Sequence, residues 1–166
     1  MRFIKLLFLG SMLVLLNACA TPYQPKGLLG GYSDARLDEN TVRVTFEGNG
    51  DTAKNTVQNA ALYRSAEVTL QYGYDYFEII SGKTHKDITT HTTPDSYSEY
   101  TTKEKKHGKT KEVKHEQFEP GSTYDVESFD SSMVIKMFHG KKPATVNGFD
   151  AHQIIQYLTP SVKPAG

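Results

Sequence analysis

The sequence predicts an α/β domain of the α+β type, a two-layer sandwich with two helices on one face of a mixed sheet. Four or five strands are expected in that sheet. An alternating strand pattern at residues 41–47 gives way to a helical period at residues 53–72 and then to another strand pattern. A dense apolar strand pattern at residues 132–138 is followed by a second amphipathic helix.

The first 18 residues are predicted to form a signal peptide. Arg2 and Lys5 are the only charges before an apolar run that ends near Leu16. This run is shorter than the ~20 apolar residues that a transmembrane helix needs, so a cleaved signal is favoured over a membrane span. The run ends in the sequence LNAC, whose last residue is Cys19. LNAC resembles the lipobox of bacterial lipoproteins, which is cleaved directly before its cysteine.

The lipobox resemblance implies a lipid anchor on Cys19, with diacylglycerol on the thiol and a fatty acid such as palmitate on the new amino group. Each buried acyl CH₂ contributes about 0.8 kcal/mol, so two or three chains hold a protein lastingly on a bilayer. In Gram-negative lipoproteins an aspartate after the cysteine retains the protein in the inner membrane, and Ala20 and Thr21 stand there instead. The resemblance therefore implies the outer membrane and a domain facing the periplasm. A buried cysteine or a soluble secreted protein is the alternative.

The composition of the mature chain, residues 19–166, limits the classes of partner. Loss of Arg2 and Lys5 leaves two negative charges in excess, which argues against nucleic acid as a partner. A lipidated Cys19 leaves no cysteine for a disulfide, so stability must come from a hydrophobic core. No cofactor is expected besides the covalent lipid.

Residues 19–31 are predicted to be a lipidated tether, because Pro, Gly and polar residues dominate them without an apolar period. The sequence GGYSD at residues 30–34 lacks the GxxxxGK[ST] pattern of a phosphate-binding loop. It predicts a turn that docks Tyr32 and Leu37 onto the domain. A single domain is expected over residues 32–160, with a flexible tail at residues 161–166.

The first strand-helix-strand unit follows from a change of period. Apolar residues alternate at 42, 44 and 46, and Asp51 or Thr52 is expected to cap the helix at residues 53–72. Gly73 is placed to end that helix before a strand at residues 74–80. Arg64 and Glu67 are predicted to form a surface ion pair, and a buried charge pair for a ligand is the alternative.

Residues 83–119 lose the apolar pattern and become rich in Thr, Lys, Glu and His. Either a long polar hairpin, with residues 83–93 and 109–118 as its strands, or a disordered excursion fits this composition. In a hairpin, His85, Asp87 and His91 project from one face of a strand, which makes them a candidate metal site. Their spacing matches no established zinc signature, and a solvated surface of mixed charge is the favoured interpretation.

Order is predicted to return near Gly121, with strands at residues 123–129 and 132–138. The HGKKP sequence stops the second strand, Asn147 is expected to cap the last helix, and Pro160 to end it. His152 is predicted to be a packed or edge residue of that helix. The exposed sheet face is expected to carry the residues Arg43, Thr45 and Glu47 and some of the tyrosines Tyr72, Tyr74 and Tyr76. These tyrosines are interpreted as packing residues, with an adhesive surface as the alternative.

Several motifs together are similar to a family of small proteobacterial lipoproteins. They are the lipobox, GGYSD at residues 30–34, LYRSAE at 62–67, GYDYF at 73–77 and MFHGKKP at 137–143. The resemblance implies a lipoprotein with these domain boundaries, and its variable centre corresponds to residues 83–119. It implies no catalytic residue, cofactor or ligand.

Three functions remain open on the sequence. The leading hypothesis is a non-enzymatic binding or structural module that contacts an envelope protein or peptidoglycan. The alternative is a periplasmic binder of a metal or small ligand that uses the histidine-bearing segment. A hydrolase is the weakest hypothesis, because no GxSxG and no nucleophile with a partnered base is present, and Ser33 and Asp34 are the residues that would test it.

Overall fold

The computed structural model describes residues 20–106, 109–142 and 147–163. The predicted signal peptide and Cys19 lie outside them. The elements in chain order are β1 (Gly31–Arg36), β2 (Thr41–Glu47), α1 (Lys54–Gln71), β3 (Tyr76–Thr92), β4 (Ser96–Lys106), β5 (Lys109–Glu119), β6 (Thr123–Phe138), β7 (Phe149–Asp150) and α2 (Ala151–Val162). The chain divides into two compact units. The first unit comprises the described residues up to Asp87 and from Glu127 onward, and the second unit is Ile88–Val126.

Five strands form one sheet in the order β1-β2-β6-β3-β7, and β4 and β5 form a sheet of two strands. β2 pairs antiparallel with both β1 and β6, and β7 pairs antiparallel with β3. β6 and β3 also run in opposite directions, since Phe138 lies beside Asp75 and Ser131 beside Thr84. The strands before and after α1 are therefore separated in the sheet by β6.

Both helices pack into one hydrophobic core with the large sheet. Its fully buried members come from β2, α1, β3, β6 and α2; they are Val42, Val44, Ala66, Val68, Phe77, Ile135, Met137 and Ala151. In β2, Val42 and Val44 point into this core and Phe46 into a second cluster with Val57 of α1, while Arg43 is exposed, as the alternation in the sequence indicates. The predicted α+β architecture of two helices and a five-stranded sheet is confirmed.

Strand β1 covers the segment that the sequence predicted to be a turn. Gly31–Arg36 pairs with β2 along its whole length, with Tyr32 opposite Phe46. β1 is an edge strand whose residues 33–36 are exposed, so it lacks the buried alternating side chains that would identify it in the sequence. Tyr32 does pack onto the core, whereas Leu37 is exposed rather than docked.

Both helix starts differ from the prediction. Ala53 is the N-cap of α1, and its methyl group cannot form a hydrogen bond. Thr52 does not cap the helix, because its hydroxyl donates to Asn49 Oδ1 at 2.7 Å. Asp150, and not Asn147, caps α2 by accepting a hydrogen bond from the backbone N–H of Gln153 at 3.0 Å. A short polar residue is the expected cap, and here its exact position depends on tertiary contacts.

Helix α2 continues through Pro160 to Val162, beyond the predicted end. A proline removes one backbone hydrogen bond, and close to a helix end that loss is readily offset. Val162 is buried, and the backbone N–H of Lys163 donates to Thr159 O at 2.8 Å. Residues 161–163 of the predicted flexible tail are therefore part of the fold.

The three tyrosines near the start of β3 pack against neighbours, as the sequence interpretation favoured. Tyr76 stacks on Phe138 with ring centroids 5.1 Å apart. Tyr74 stacks on His139 at 4.3 Å, and the guanidinium of Arg36 lies 4.7 Å from the ring centroid of Tyr72.

The second unit, Ile88–Val126, is built from β4, β5 and the adjoining ends of β3 and β6, and we call it the β-ribbon. β4 and β5 pair antiparallel from Ser96 opposite Glu119 to Lys106 opposite Lys109. The adjoining ends are linked by hydrogen bonds from Thr90 to Asp125 at 2.6 Å and between Thr92 and Thr123 at 3.3 Å. The described part of the polar segment at residues 83–119 is therefore built of strands, but the pairing differs from the predicted hairpin. Residues 83–92 belong to β3, which lies beside β6, and the hairpin joins β4 to β5.

Candidate functional site

The segment that follows Cys19 lies against the first unit, in contrast to the tether that the sequence predicted. Thr21 is buried, and its backbone N–H donates to Thr52 Oγ1 at 2.8 Å. Its hydroxyl donates to Leu29 O and accepts from the backbone N–H of Asn49, both at 2.8 Å. Thr21 therefore attaches the segment to the loop before α1. This attachment begins only two residues after Cys19, the predicted lipid site.

Tyr23 extends this attachment into an aromatic pocket. Its ring meets Tyr63 of α1 edge-on at 5.1 Å and lies 4.9 Å from the ring of Tyr32 in β1. Its hydroxyl donates to Glu67 Oε2 at 2.6 Å. Burial, together with the hydrogen bond to the Glu67 carboxylate and its charge, raises the pKa of Tyr23 above its ordinary value, so Tyr23 is a neutral donor.

The Glu67 carboxylate accepts hydrogen bonds from three side chains. Besides Tyr23, Arg64 donates to Glu67 Oε2 at 3.1 Å and Lys163 to Oε1 at 2.7 Å. Burial opposes ionisation, but the hydrogen bonds from Lys163, Tyr23 and Arg64 outweigh it, so the pKa of Glu67 lies below its ordinary value. The hydrogen bond to Glu67 in turn raises the pKa of Lys163. A carboxylate held as an anion by three donors is a poor general base.

Arg64 completes what we call the Tyr23 cluster: Tyr23, Tyr32, Asp34, Tyr63, Arg64, Glu67 and Lys163. Its guanidinium donates to Asp34 Oδ1 from Nη2 at 2.8 Å and from Nε at 3.0 Å, and it lies 4.4 Å from the ring centroid of Tyr32. The Arg64 and Glu67 side chains are only 11% and 19% exposed, so the predicted surface ion pair is a largely buried one. Two cations and two carboxylates satisfy one another, which suits a structural clamp better than a ligand site.

The structure separates the side chains of Ser33 and Asp34, the two residues that would test a hydrolase function. Asp34 faces α1 and is engaged by Arg64, whereas Ser33 belongs to the opposite face of β1, paired with Thr45 of β2. Adjacent residues of a strand point to opposite faces, so their side chains do not form a nucleophile and base pair.

The candidate metal ligands lie along β3. His85, Asp87 and His91 are all exposed, and His91 stacks on Tyr124 with ring centroids 5.6 Å apart. Within residues 20–106, 109–142 and 147–163, no group of three or more His, Cys, Asp or Glu side chains is arranged to hold a metal ion. The structure therefore does not bring the three predicted ligands together.

An open cleft of about 340 Å³ lies on the first unit, lined by Glu47, Gly48, Asp87, Ser128, Phe129 and Asp130. Its walls are mainly polar and carry three carboxylates. Such a wall repels anions, and it lacks the apolar enclosure that typifies small-molecule sites.

The β-ribbon presents its aromatic side chains to solvent on both faces. Tyr97 pairs with Phe118 across the strands at 4.9 Å, and Tyr100 stacks on His115 at 5.0 Å. Positions 97 and 100 differ in parity, so the two pairs lie on opposite faces of the hairpin. Tyr97 is 80% exposed, and Tyr100 and Phe118 are each 50% exposed. Exposed aromatic side chains in cross-strand pairs form larger apolar patches than single exposed residues, which makes the β-ribbon the best candidate for a binding surface.

Sequence reasoning missed the anchoring roles of Tyr23 and Lys163, since each lies in a segment without a periodic pattern. It also missed the pair of exposed leucines, Leu28 and Leu29, although the sequence GLLGG marks them. Neither helix among the described residues is long and apolar enough to cross a membrane. Searches against protein-family models, curated proteins and solved structures found no match for the chain.

Proposed function

We propose that this protein is a lipid-anchored cell-envelope protein that acts as a non-enzymatic binding module through the β-ribbon. The anchor is the lipid on Cys19, which rests on the lipobox sequence. The likeness to small proteobacterial lipoproteins and the absence of aspartate after the cysteine support the outer membrane and a periplasmic domain. The single observation that carries the binding role is the set of exposed aromatic pairs on the β-ribbon.

The chemistry of the β-ribbon favours a contact with a protein or with the cell wall. Tyrosine and phenylalanine are enriched at the centres of interfaces, where burying each ring contributes strongly to affinity. Lysines and glutamates surround these rings, for example Lys103 and Glu112, whose charged groups lie 3.6 Å apart. Apolar centres inside a mixed polar rim are the usual composition of a reversible protein interface.

The two-stranded build of the β-ribbon supports the same role. Each of its strands has an outer edge with backbone N–H and C=O groups that β4–β5 pairing does not use. A partner strand can add to such an edge, while the exposed side chains on both faces select the partner. The lysines along the strands oppose indiscriminate pairing between copies of the ribbon.

The test is photo-crosslinking in living cells with the full-length protein. A photoreactive residue replaces Tyr97, Tyr100 or Phe118 in turn, and the same residue at Tyr157 of α2 is the control. Tyr157 is a matched control because it is also a tyrosine and is 74% exposed, but it belongs to the first unit. We expect one reproducible adduct, an envelope protein or a peptidoglycan fragment, from the β-ribbon positions alone.

Two outcomes contradict the proposal. Absent or random adducts at all three β-ribbon positions remove the ribbon as a recognition element. The same adduct pattern at Tyr157 shows that the ribbon has no selective contact.

A further inference from the structure

Two consecutive leucines form the tip of a tight turn in the segment that follows Cys19. Gly27 and Gly30 exchange backbone hydrogen bonds of 3.0 and 3.2 Å, which leaves Leu28 and Leu29 as the two turn residues. Leu28 is 106% exposed and Leu29 is 56% exposed. Turn positions usually carry Gly, Asn, Asp, Pro or Ser, so a pair of leucines there calls for a specific reason.

The turn is attached to the first unit by hydrogen bonds and by close packing. Thr21 donates to Leu29 O at 2.8 Å, and its own backbone is held by Thr52. At Gly30 the φ angle is +89°, and a Cβ there would lie 2.2 Å from Glu47 O, so the turn packs directly against the end of β2. The two exposed leucines are therefore carried by a turn that is attached to the first unit.

The predicted lipid site, Cys19, is close in sequence to Thr21, the residue that holds this turn. Thr21 is two residues from Cys19, and two residues span at most about 7 Å. Because Thr21 is hydrogen-bonded to Leu29, an acyl chain on Cys19 would enter the bilayer near the leucine pair. A chain with acyl groups on Cys19 thus has this turn at the bilayer surface.

The charges on the turn are compatible with that position. Lys26 Nζ lies 2.6 Å from Glu47 Oε1, so the lysine beside the leucines is already paired with a carboxylate. Neutralised pairs and leucines are tolerated at the boundary between headgroups and acyl chains, where leucine gains from leaving water.

We propose that Leu28 and Leu29 insert into the bilayer beside the acyl chains of Cys19, so that the lipid surface is the partner of this turn. The inference rests on the lipid anchor of the proposed function. With this contact the first unit lies on the membrane in one orientation, whereas a flexible tether would let it reorient freely.

Depth-dependent fluorescence quenching tests this contact on full-length protein purified from membranes and reconstituted in liposomes. A thiol-reactive, polarity-sensitive dye is attached to Leu28→Cys, and the liposomes contain lipids with a nitroxide near the top of the acyl chain. Leu37→Cys is the matched control, since Leu37 is also an exposed leucine but follows the opposite end of β1, about 20 Å along the strand. The unsubstituted protein is the labelling blank, because a thioether leaves Cys19 without a free thiol.

We expect no dye on the blank, loss of most of the fluorescence at position 28, and no loss at position 37. If the blank takes no dye and the dye at position 28 is quenched no more than the dye at position 37, the membrane contact is overturned and the lipid anchor is left intact. Equal quenching at both positions also overturns it. A blank that takes dye shows a free Cys19 thiol, and then the lipid anchor itself fails together with this inference.

Discussion

At the scale of single residues, one carboxylate joins three distant parts of the sequence. Glu67 accepts hydrogen bonds from Tyr23, Arg64 and Lys163, which belong to the amino-terminal segment, helix α1 and the end of helix α2. Hydrogen bonds to charged groups contribute about 1.5–3 kcal/mol when they are shielded from water, and partial exposure of Lys163 reduces the share of its ion pair.

Replacing Glu67 by Gln tests how much this carboxylate contributes to the stability of the fold. The substitution keeps the shape of the side chain but leaves Arg64 and Lys163 without their shared anion. We expect a loss of about 2 kcal/mol in the free energy of unfolding, measured by urea denaturation. Glu47→Gln is the matched control, since its pair with Lys26 is exposed and should contribute below about 1 kcal/mol. Equal losses for the two variants would show that Glu67 has no special role.

The contribution of Glu67 should vanish in acid. Burial raises the folded pKa of Glu67, but the hydrogen bonds from Lys163, Tyr23 and Arg64 together outweigh it and set that pKa below the ordinary 4.5. The unfolded chain therefore binds the proton more tightly, so the stabilisation is present above about pH 4.5 and is lost as the pH falls through the folded pKa. We expect the difference in unfolding free energy between wild type and Glu67→Gln to shrink below pH 4.5. A difference that persists in acid would contradict the assignment.

The sequence indicates only part of the Tyr23 cluster. Arg64 and Glu67 are recognisable as a pair from their spacing on one helix face. Tyr23 and Lys163 lie 44 and 96 residues from Glu67, and neither belongs to a periodic pattern. Contacts of this range depend on the tertiary fold, which local spacing does not encode.

At the scale of elements, the turn between Gly27 and Gly30 approaches β2 so closely that a side chain at Gly30 is excluded. Gly30 and Gly73 both have positive φ angles, +89° and +82°. They differ in their surroundings, because a Cβ at Gly30 would lie 2.2 Å from Glu47 O and one at Gly73 would meet nothing within 4 Å.

Substituting alanine at each glycine separates backbone strain from steric exclusion. Gly73→Ala should cost about 1 kcal/mol, the strain of a left-handed conformation. Gly30→Ala adds a clash with backbone and should cost about 2–4 kcal/mol in total. Thermal and urea unfolding of both variants measures the difference. A Gly30→Ala variant as stable as Gly73→Ala would mean that the turn separates from β2 at little cost.

The elements with a strong period were predictable, and those without one were not. β2 and α1 follow from alternation and from the 3.6-residue period, and their bounds match within a few residues. β1 was missed because an edge strand with exposed, polar side chains carries no such signal. The sequence of the β-ribbon fits both a hairpin and a disordered segment, since a two-stranded hairpin buries too little to produce an apolar pattern.

At the scale of the whole molecule, the two units differ in what stabilises each. The first has a hydrophobic core with fully buried residues such as Val44, Phe77 and Ile135. Side chains of the β-ribbon are almost all exposed, so its order depends on backbone pairing and on cross-strand pairs such as Tyr97 and Phe118. Two-stranded hairpins of this kind are marginally stable in water.

Hydrogen exchange should therefore divide the chain into two classes. We expect amides of β4 and β5 to exchange much faster than those of β2, because the hairpin opens without exposing a core. Mass spectrometry of peptides from the full-length protein measures both in one sample, so β2 is the internal control. Equal protection of β2 and of β4–β5 would contradict this division. Binding of a partner to the β-ribbon should slow exchange in β4 and β5 alone.

The clamp at Glu67 also has a consequence for the order in which the chain becomes a folded protein. Lys163 lies 96 residues after Glu67, and its ion pair with Glu67 helps to hold Tyr23 in place. In a chain exported with its amino end first, as a signal peptide would direct, the segment after Cys19 lacks this support until Lys163 has also emerged. The enzymes that attach lipid and remove the signal would thus meet an accessible substrate, and the arrival of Lys163 would then secure the segment.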